Sequence, residues 1–249
     1  MSSESVSDKT ALVTGAAARI GAAITRTLHQ RGCHIILHYN SSSDAAGHLA
    51  EELNEKREDS VTLVSCDLTH ESGIETLADA VRDVSPGLNL LVNNASRFYP
   101  TTVGDTRAFQ WDDLLDSNLR APYFLVQTLL PQLRFVEGAV INIIDVHSKR
   151  PMKGHAVYST AKAGLAMMTR ALARELAPEV RVNGVSPGAI LWPEQELTEE
   201  IKQDILGRIA MGRTGTPADI AGAVEYLGLD SPYVTGQILE VDGGRSLNM

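Results

Sequence analysis

Tyr158 and Lys162 are the two residues whose types and spacing most directly suggest proton transfer. If residues 155–177 form a helix, the two side chains stand one turn apart on the same face. A nearby ammonium group favours phenolate and lowers a tyrosine pKa from about 10 towards neutral pH. Such a phenol can give or take a proton during a reaction. Because Tyr-x-x-x-Lys also occurs by accident on helix surfaces, the pair needs structural context before it carries weight.

Asp145 adds a carboxyl group that follows a predicted strand and precedes Tyr158 in the chain. We expect the three side chains of Asp145, Tyr158 and Lys162 to share one site, with the carboxyl group as a second group for proton transfer. A competing interpretation is that Asp145 is a loop residue that caps the turn at Val146–His147.

The elements that must position these residues alternate along the chain. Uninterrupted apolar runs predict parallel strands covered by helices on both faces. The strand candidates are Ala11–Val13, Cys33–Leu37, Val61–Val64, Leu88–Val92, Val140–Ile144, Val180–Val185 and Ile238–Val241. The helix candidates lie near 20–31, 44–58, 71–84, 106–135 with a break around Asn118 to Pro122, 155–177 and 217–228. The pattern predicts an α/β fold: one Rossmann-like domain over 1–249, a doubly wound seven-stranded parallel sheet with helices on both faces.

One segment interrupts this alternation. Residues 188–212 follow the sixth strand and are too long for an ordinary connection. Ligands of such folds bind at the carboxyl ends of the strands, so we expect the segment to be a loop insertion over a substrate. The alternative is a surface helix without a role in binding.

Composition narrows the possible partners. The net charge of −9 opposes binding to nucleic acid or to an anionic membrane surface. The first nine residues lack the apolar core of a signal peptide, and no apolar run approaches the ~20 residues of a membrane span. Cys33 and Cys66 fit no metal-ligand spacing, so we predict no metal site and interpret both as small buried thiols. These features predict a cytoplasmic protein.

The turn after the first strand has the composition of a phosphate-binding loop. Small residues let the backbone approach a pyrophosphate, and the start of the following helix presents free amides and a positive dipole end. The expected contacts are Gly15, Ala18, Arg19, Ile20 and Gly21. The glycines could instead serve only to shape a tight turn, but the strand–turn–helix setting favours dinucleotide binding.

The end of the second strand indicates which dinucleotide binds. An NAD site usually places an acidic residue here, on the ribose hydroxyls. This chain instead has hydroxyl and amide groups that could accommodate a 2′-phosphate, with charge supplied by Arg19. We therefore predict NADP(H), held in part by Tyr39, Asn40, Ser41 and Ser42. Asp44 could be the missing acid, but we expect it to cap the next helix together with Ser43.

The third and fourth strands end in further candidates for the cofactor site. Asp67 and Leu68 follow the third strand, where an adenine ring could meet a side chain or the backbone; Asp67 could equally be the N-cap of the next helix. Asn94 and Ala95 follow the fourth strand, and paired asparagines can tie neighbouring loops together.

Together these segments resemble the short-chain dehydrogenase/reductase family from Lys9 to Gly244. The similar pieces are TGAAARIG at 14–21, NNA at 93–95, Asn118, Tyr158-x-x-x-Lys162, Pro187-Gly188 and VDGG at 241–244. The resemblance implies that Tyr158 is the general acid or base, that Lys162 tunes it and binds the nicotinamide ribose, and that Asn118 supports a water relay. It also implies cofactor contacts from Pro187, Gly188 and Ile190, and a homotetramer.

Two departures from the family pattern are informative. Arg19 stands at the family's second glycine, and Asp145 stands at its usual catalytic serine. Both changes, with the segment from Ser96 to Thr101, look like the pteridine reductase branch, in which a pterin lies between the nicotinamide and a phenylalanine. The branch resemblance implies that Phe98 stacks on substrate and that Ser96, Arg19, Asp145 and Tyr158 contact it. Some members carry an arginine where this chain has Ser41.

The chemistry of a carboxyl group agrees with this resemblance. A serine hydroxyl can donate to the oxyanion that forms when a carbonyl is reduced, whereas a carboxylate would repel it. Reduction of a C=N bond produces a basic nitrogen instead, which a carboxylic acid can protonate. We therefore expect an NADPH-dependent pteridine reductase acting on a pterin, dihydropterin or dihydrofolate. The alternatives are a carbonyl or enoyl reductase of the wider family and a dinucleotide-sensing protein without turnover.

Overall fold

A single parallel sheet forms the centre of the protein. The computed structural model describes residues 9–191 and 198–248. Its strands are β1 (Thr10–Val13), β2 (His34–Tyr39), β3 (Val61–Ser65), β4 (Leu90–Asn93), β5 (Ala139–Ile143), β6 (Arg181–Pro187) and β7 (Ile238–Val241). They pair in the order β3-β2-β1-β4-β5-β6-β7, and every neighbouring pair is parallel.

Helices cover both faces of the sheet. Within the described residues they are α1 (Arg19–Gln30), α2 (Ser43–Asn54), α3 (Glu71–Val84), α4 (Ala108–Leu115), α5 (Ala121–Thr128), α6 (Leu130–Phe135), α7 (Ala156–Leu176), α8 (Glu199–Gly207) and α9 (Pro217–Glu225). Apolar side chains of α1, α2 and α9 pack in one buried cluster, and those of α3, α5 and α7 pack in another. Since successive strand side chains point to opposite faces, the uninterrupted apolar strands supply both clusters. The predicted fold class is confirmed.

The boundaries differ from the prediction where tertiary packing overrides the sequence pattern. The break expected around Asn118 to Pro122 is a π-helical turn at Asp116–Arg120 between α4 and α5. A second π-helical turn, Tyr226–Asp230, continues α9 beyond the predicted end. Helix α2 ends at Asn54 rather than near residue 58. Strand β3 lies at the edge of the sheet, and its Leu63 is exposed rather than covered on both faces.

The segment 188–212 contains a surface helix, which was the alternative to a substrate loop in the sequence analysis. Helix α8 begins after the N-cap Thr198 and buries none of its residues. Of the segment's apolar residues, Leu191 is exposed and Ile190 is buried. Trp192 and Pro193 lie outside the described residues.

Two further observations concern the chain as a whole. Over the ranges that the structure describes, none of the helices combines the length and apolar character needed to cross a bilayer. Both cysteines are free thiols; Cys33 is buried, but Cys66 is partly exposed, so the expectation of a buried thiol is wrong at that position.

Candidate active site

The candidate residues gather at the carboxyl edge of the sheet. The strand order reverses direction between β1 and β4, and a crevice forms at such a switch point. The turns after β1, β2, β3 and β4 line one cleft of about 280 Å³. Asp145 follows β5 closely, and Gly188 follows β6. Parallel pairing therefore brings together residues that are far apart in the sequence.

Asp145 and Tyr158 are joined directly. The Tyr158 hydroxyl donates to Asp145 Oδ2 at 2.9 Å, while Asp145 Oδ1 accepts from the His147 N–H at 2.8 Å. The two interpretations of Asp145 are thus compatible, because one oxygen caps the short 3₁₀ turn at Val146–Ser148 and the other faces the phenol. The cap fixes the direction in which the carboxyl group points.

Lys162 lies one turn further along α7, as the spacing predicted. Its Nζ donates to the Ile143 carbonyl at 2.9 Å and lies 5.7 Å from the centroid of the Tyr158 ring. Tyr158 is 5% exposed and Lys162 is 3% exposed. Burial lowers the pKa of Lys162 to about 8, although Asp145 opposes this shift.

The pKa of the Tyr158 phenol is shifted in the opposite direction from our prediction. Burial and the adjacent Asp145 carboxylate raise the pKa of Tyr158 well above its ordinary value. The expectation that Lys162 lowers it is therefore wrong for this arrangement, in which the lysine bonds a carbonyl and the phenol bonds an anion. The Tyr158 hydroxyl therefore keeps its proton at neutral pH.

Asn118 sits in the π-helical turn between α4 and α5. Its Nδ2 donates to the carbonyls of Arg97 at 2.9 Å and Leu114 at 3.0 Å. The side chain is 0% exposed, and among the described residues its Oδ1 has no hydrogen-bond partner. A buried acceptor without a partner calls for a water or a ligand atom. π-Helical turns often occur at functional sites, where they redirect one side chain.

An aromatic cluster borders Tyr158. The Phe98 ring meets Tyr158 edge to face, with centroids 4.8 Å apart, and stacks on the His155 ring at 4.7 Å. Thr101 ties the Phe98 loop to the start of α7, because its N–H donates to the Gly154 carbonyl at 2.6 Å. Phe98 remains 54% exposed, which is unusual for a large apolar ring held in a fixed position. His155 was not among the residues predicted from the sequence, although it lies one helical turn before Tyr158.

The glycine turn after β1 has the close packing that a phosphate loop requires. Gly15 has a φ of +60°, and a Cβ there would lie 2.9 Å from the Ala95 Cα. A Cβ on Gly21 would clash with the Gly15 carbonyl. Ala18 is the N-cap of α1 and has no side-chain cap, so the helix start offers its amides to a ligand. These features fit the pyrophosphate of a dinucleotide.

Arg19 begins α1 in the left-handed region, with a φ of +52°. A non-glycine residue costs about 1–2 kcal/mol in that conformation. This explains physically why the family has a glycine here. Arg19 keeps this φ although it carries a side chain, and such strained residues cluster at ligand-binding sites.

The cleft contains many of the predicted cofactor residues. Those that line it are Gly15, Ala18, Tyr39, Asn40, Ser41, Ser42, Asp67, Leu68 and Ala95. Ser96, which was predicted to contact substrate, lines it as well. Residues that the sequence analysis did not select also line it: Ala17, His38, Thr69, Arg97 and Ser117. Asn94 acts behind the cleft, because its Nδ2 donates to the carbonyls of Thr14 and Gly15, each at 2.9 Å. This is the loop-tying role considered for the paired asparagines.

Asp67 does not cap the helix after β3. Its Oδ1 accepts from the Thr69 N–H at 2.9 Å, whereas α3 begins later, after His70. The helix-cap alternative for Asp67 is therefore wrong. Its other oxygen pairs with Arg97 at 3.3 Å, and Arg97 also pairs with Asp113 of α4. Arg97 thus links the β3 end of the cleft to the helix that leads to Asn118.

Asp44 also differs from its predicted role. Helix α2 begins at Ser43, so Asp44 lies in the first turn and Ser42 is the N-cap, without a side-chain cap bond. The Asp44 carboxylate still interacts favourably with the helix dipole from that position. The expected capping by Ser43 and Asp44 is wrong by one residue.

The far end of the site is formed after β6. The Gly188 N–H donates to the Val241 carbonyl at 3.1 Å, and a Cβ on Gly188 would lie 2.6 Å from the Asp242 Cβ. Pro187 ends β6, and the Ile190 side chain is buried in the core. Ile190 could therefore meet a cofactor only through its backbone. Over the described residues, no three His, Cys, Asp or Glu side chains converge as metal ligands would.

Comparison with known families assigns the class of protein. A family profile described as Enoyl-(Acyl carrier protein) reductase matches residues 15–246, and the chain belongs to this short-chain dehydrogenase/reductase family. With the fold and the dinucleotide cleft, this makes it an NAD(P)-dependent oxidoreductase.

Individual relatives cover nearly the whole chain. It is 33% identical to the uncharacterized oxidoreductase YmfI of Bacillus subtilis, over 95% of this chain and 98% of that protein. It is 32% identical to pteridine reductase 1 of Leishmania tarentolae, over 95% and 96%. It is 34% identical to the 3-oxoacyl-[acyl-carrier-protein] reductase FabG of Staphylococcus aureus, over 95% and 97%. Identity alone does not separate the pterin and oxoacyl branches.

Proposed function

We propose that this protein is an NADPH-dependent pteridine reductase that reduces a C=N bond of a pterin, dihydropterin or dihydrofolate. The observation that carries the proposal is the 2.9 Å hydrogen bond from the Tyr158 hydroxyl to Asp145 Oδ2. It means that the group beside the proton donor is a carboxyl group rather than an alcohol. The relative named pteridine reductase 1 supports the same substrate class.

The residues of the site have complementary tasks in such a reaction. A nicotinamide held by Lys162 and the Pro187–Ile190 backbone would supply the hydride for the carbon of the C=N bond. Tyr158, which retains its proton because its pKa is raised, donates that proton towards the substrate nitrogen. Before turnover Asp145 accepts a hydrogen bond from the Tyr158 phenol, and during turnover it holds the polar edge of the pterin ring. A carboxylate tolerates a developing basic nitrogen and disfavours a developing oxyanion.

In this proposal Phe98 and Ser96 are residues that bind the substrate. The exposed Phe98 ring offers an apolar surface for a flat heterocycle, and ring stacking contributes beyond the area that it buries. Ser96 lines the cleft between the substrate side and the cofactor turn. We propose that both contact the pterin, together with Arg19.

NADP(H) is the cofactor in this proposal. The glycine turn and the start of α1 bind the pyrophosphate, and Ser41, Ser42 and Arg19 accommodate the 2′-phosphate. Asp67 and Leu68 meet the adenine, while Lys162 and the Pro187–Ile190 backbone hold the nicotinamide end. The Asn118 Oδ1, a buried acceptor, suits a water that relays protons to Lys162.

A second candidate is a carbonyl or enoyl reductase acting on an acyl-carrier thioester. The family profile and the FabG relative favour this activity. A third outcome, a dinucleotide-binding protein without turnover, is poorly supported. Tyr158 and Lys162 form a complete pair within one buried site, as an enzyme would require. The Asp145 carboxylate argues against the second candidate, since it would repel an oxyanion beside Tyr158.

NADPH oxidation, followed by absorbance, separates these candidates. The purified protein is assayed with dihydrobiopterin, biopterin, dihydrofolate, a 3-oxoacyl thioester, an enoyl thioester and a simple ketone. We expect kcat/KM for a pterin or folate to exceed that for every other compound by at least tenfold. Preference for a thioester or ketone would reject the pterin assignment, and binding without turnover on any compound would reject the enzyme assignment.

Asp145→Ser is the matched variant for this assay, because serine restores a hydroxyl donor at the same position. We expect pterin turnover to fall by about 10²-fold or more, in keeping with the loss of a group used in proton transfer. The dissociation constant of NADPH is the control and should change less than threefold. Undiminished pterin reduction in this variant would remove Asp145 from the mechanism.

The assembly that we propose is a homotetramer in the cytoplasm. Helices α4, α5 and α7 expose large apolar side chains, namely Phe109, Trp111, Tyr123 and Met167. Exposed apolar groups of this size on neighbouring helices are typical of interfaces between subunits. Light scattering during gel filtration measures the mass directly, and a mass of one 26.8 kDa chain at micromolar concentration would contradict the tetramer.

A further inference from the structure

His38, at the end of β2, lies beneath the glycine turn and contacts two neighbouring loops. The Gly15 N–H donates to its Nδ1 at 3.2 Å, and its Nε2 lies 3.1 Å from the Cys66 carbonyl oxygen. The side chain is 2% exposed. A polar side chain buried to this degree, with both ring nitrogens engaged, is fixed in orientation.

The two partners determine where the imidazole proton lies. A backbone N–H can only donate, so Nδ1 must be unprotonated; a carbonyl can only accept, so Nε2 must carry the hydrogen. Burial lowers the pKa of His38, whereas the Cys66 carbonyl and the Asp67 carboxylate oppose that shift. The contact geometry and the burial both select the neutral ring.

His38 also contacts the turn through its backbone. The Ala16 N–H donates to the His38 carbonyl at 2.9 Å. One residue of β2 therefore engages two consecutive amides, those of Gly15 and Ala16, where the chain leaves β1. These bonds set the path of the turn, which then delivers the N–H groups at the start of α1 to the cleft.

We propose that His38 is a positioning residue for the dinucleotide: its Nδ1 holds the Gly15 amide, and this keeps the start of α1 aligned with the cofactor pyrophosphate. The inference rests on the proposed cofactor site. It differs from a packing role because an apolar side chain of similar size could fill the space but could not accept the Gly15 N–H.

Two substitutions separate these roles. Asparagine places an acceptor oxygen near the position of Nδ1, whereas leucine fills the space without one. We expect His38→Leu to weaken NADPH binding by about tenfold or more, because the Gly15 N–H is left unsatisfied or the turn shifts. For His38→Asn the dissociation constant should stay within about threefold of wild type. The KM for NADPH should rise in His38→Leu while kcat at saturating NADPH changes little.

Fluorescence titration with both NADPH and NADH measures these affinities without turnover. Wild-type affinity in His38→Leu, or equal loss in both variants, would overturn the inference. If neither nucleotide binds the wild type, the proposed function itself fails.

The imidazole is tested separately by a long-range ¹H–¹⁵N correlation spectrum of the wild-type protein, with the His38 signals assigned by their loss in His38→Asn. We expect the neutral form with hydrogen on Nε2. A ring with hydrogen on Nδ1, or an imidazolium at pH 7.5, would overturn the inference even if His38→Leu failed to fold.

Discussion

Replacing Lys162 with methionine should stabilise the fold while ending turnover. The lysine is buried, and the pKa of about 8 in place of 10.5 means that burial of its charged form is unfavourable. A shift of this size corresponds to about 3 kcal/mol. Methionine has a similar length and carries no charge, but it leaves the Ile143 carbonyl without its donor, which costs about 1 kcal/mol. The expected net gain at pH 7 is therefore about 2 kcal/mol.

The gain should depend on pH in a defined direction. Below pH 8 the lysine is charged in both the folded and the unfolded protein, so the full penalty applies. Between about pH 8 and 10.5 the folded state loses the proton first, and the penalty on the wild type is relieved. The difference in the free energy of unfolding between Lys162→Met and wild type should thus be largest at pH 7 and should shrink as the pH rises towards 10.

Thermal and urea unfolding of both proteins at pH 7, 8, 9 and 10 measures this difference. For a chain of this length, about 2 kcal/mol corresponds to a rise in Tm of about 4–8 °C. Lys153→Met, at an exposed loop lysine, is the matched control. It should change Tm by no more than about 2 °C, because surface substitutions usually change stability by about 0.5 kcal/mol or less. A Tm of Lys162→Met at or below that of wild type, or a difference independent of pH, would refute the reasoning. NADPH-dependent turnover should fall at least 10²-fold in the same variant.

Three further substitutions test separate parts of the site. Arg19→Gly should weaken NADPH binding more than NADH binding, because the charge assigned to the 2′-phosphate is lost; unchanged selectivity in titrations would contradict the assignment of Arg19 to the 2′-phosphate. Phe98→Ala should raise the KM for pterin by about tenfold, since stacking area is lost, with little change in kcat; an unchanged KM would remove Phe98 from the pocket. Asp145→Ala should lower pterin turnover far more than it lowers NADPH affinity, and near-normal pterin turnover by this variant would contradict the role of the carboxyl group.

The fold was accessible from the sequence because its strands are buried on both faces and therefore read as apolar runs. The strand ends then located the site, since parallel pairing places the turns after β1, β4 and β5 at one edge. The hydrophobic pattern did not predict features that depend on tertiary contacts rather than on the local sequence. The sequence indicated a break near Asn118 but not its π-helical form, and it gave no signal for the π-helical turn at Tyr226–Asp230. The end of α2 depends on how Asn54 bonds the backbone of Ser60 and Val61 at the start of β3.

The features of the site that the sequence did not predict also depend on tertiary contacts. The spacing of Tyr158 and Lys162 predicts proximity, but it does not show that the lysine would bond a carbonyl and the phenol a carboxylate, which reverses the expected direction of the phenol pKa. His38 and Arg97 were missed because each acts through contacts from distant strands and loops. The His155 ring and Ala17 did carry usable signals: His155 lies one turn before Tyr158, and Ala17 lies within the TGAAARIG turn.

A crystal structure of the protein with NADPH and a dihydropterin tests the role of the carboxyl group most directly. We predict that Asp145 and the Tyr158 hydroxyl both lie within hydrogen-bond distance of the heterocycle, on the edge that carries the C=N bond, with Phe98 against the ring face. A dihydropterin bound elsewhere, or an Asp145 carboxyl group turned away from the ring and separated from it by protein, would contradict the proposed mechanism.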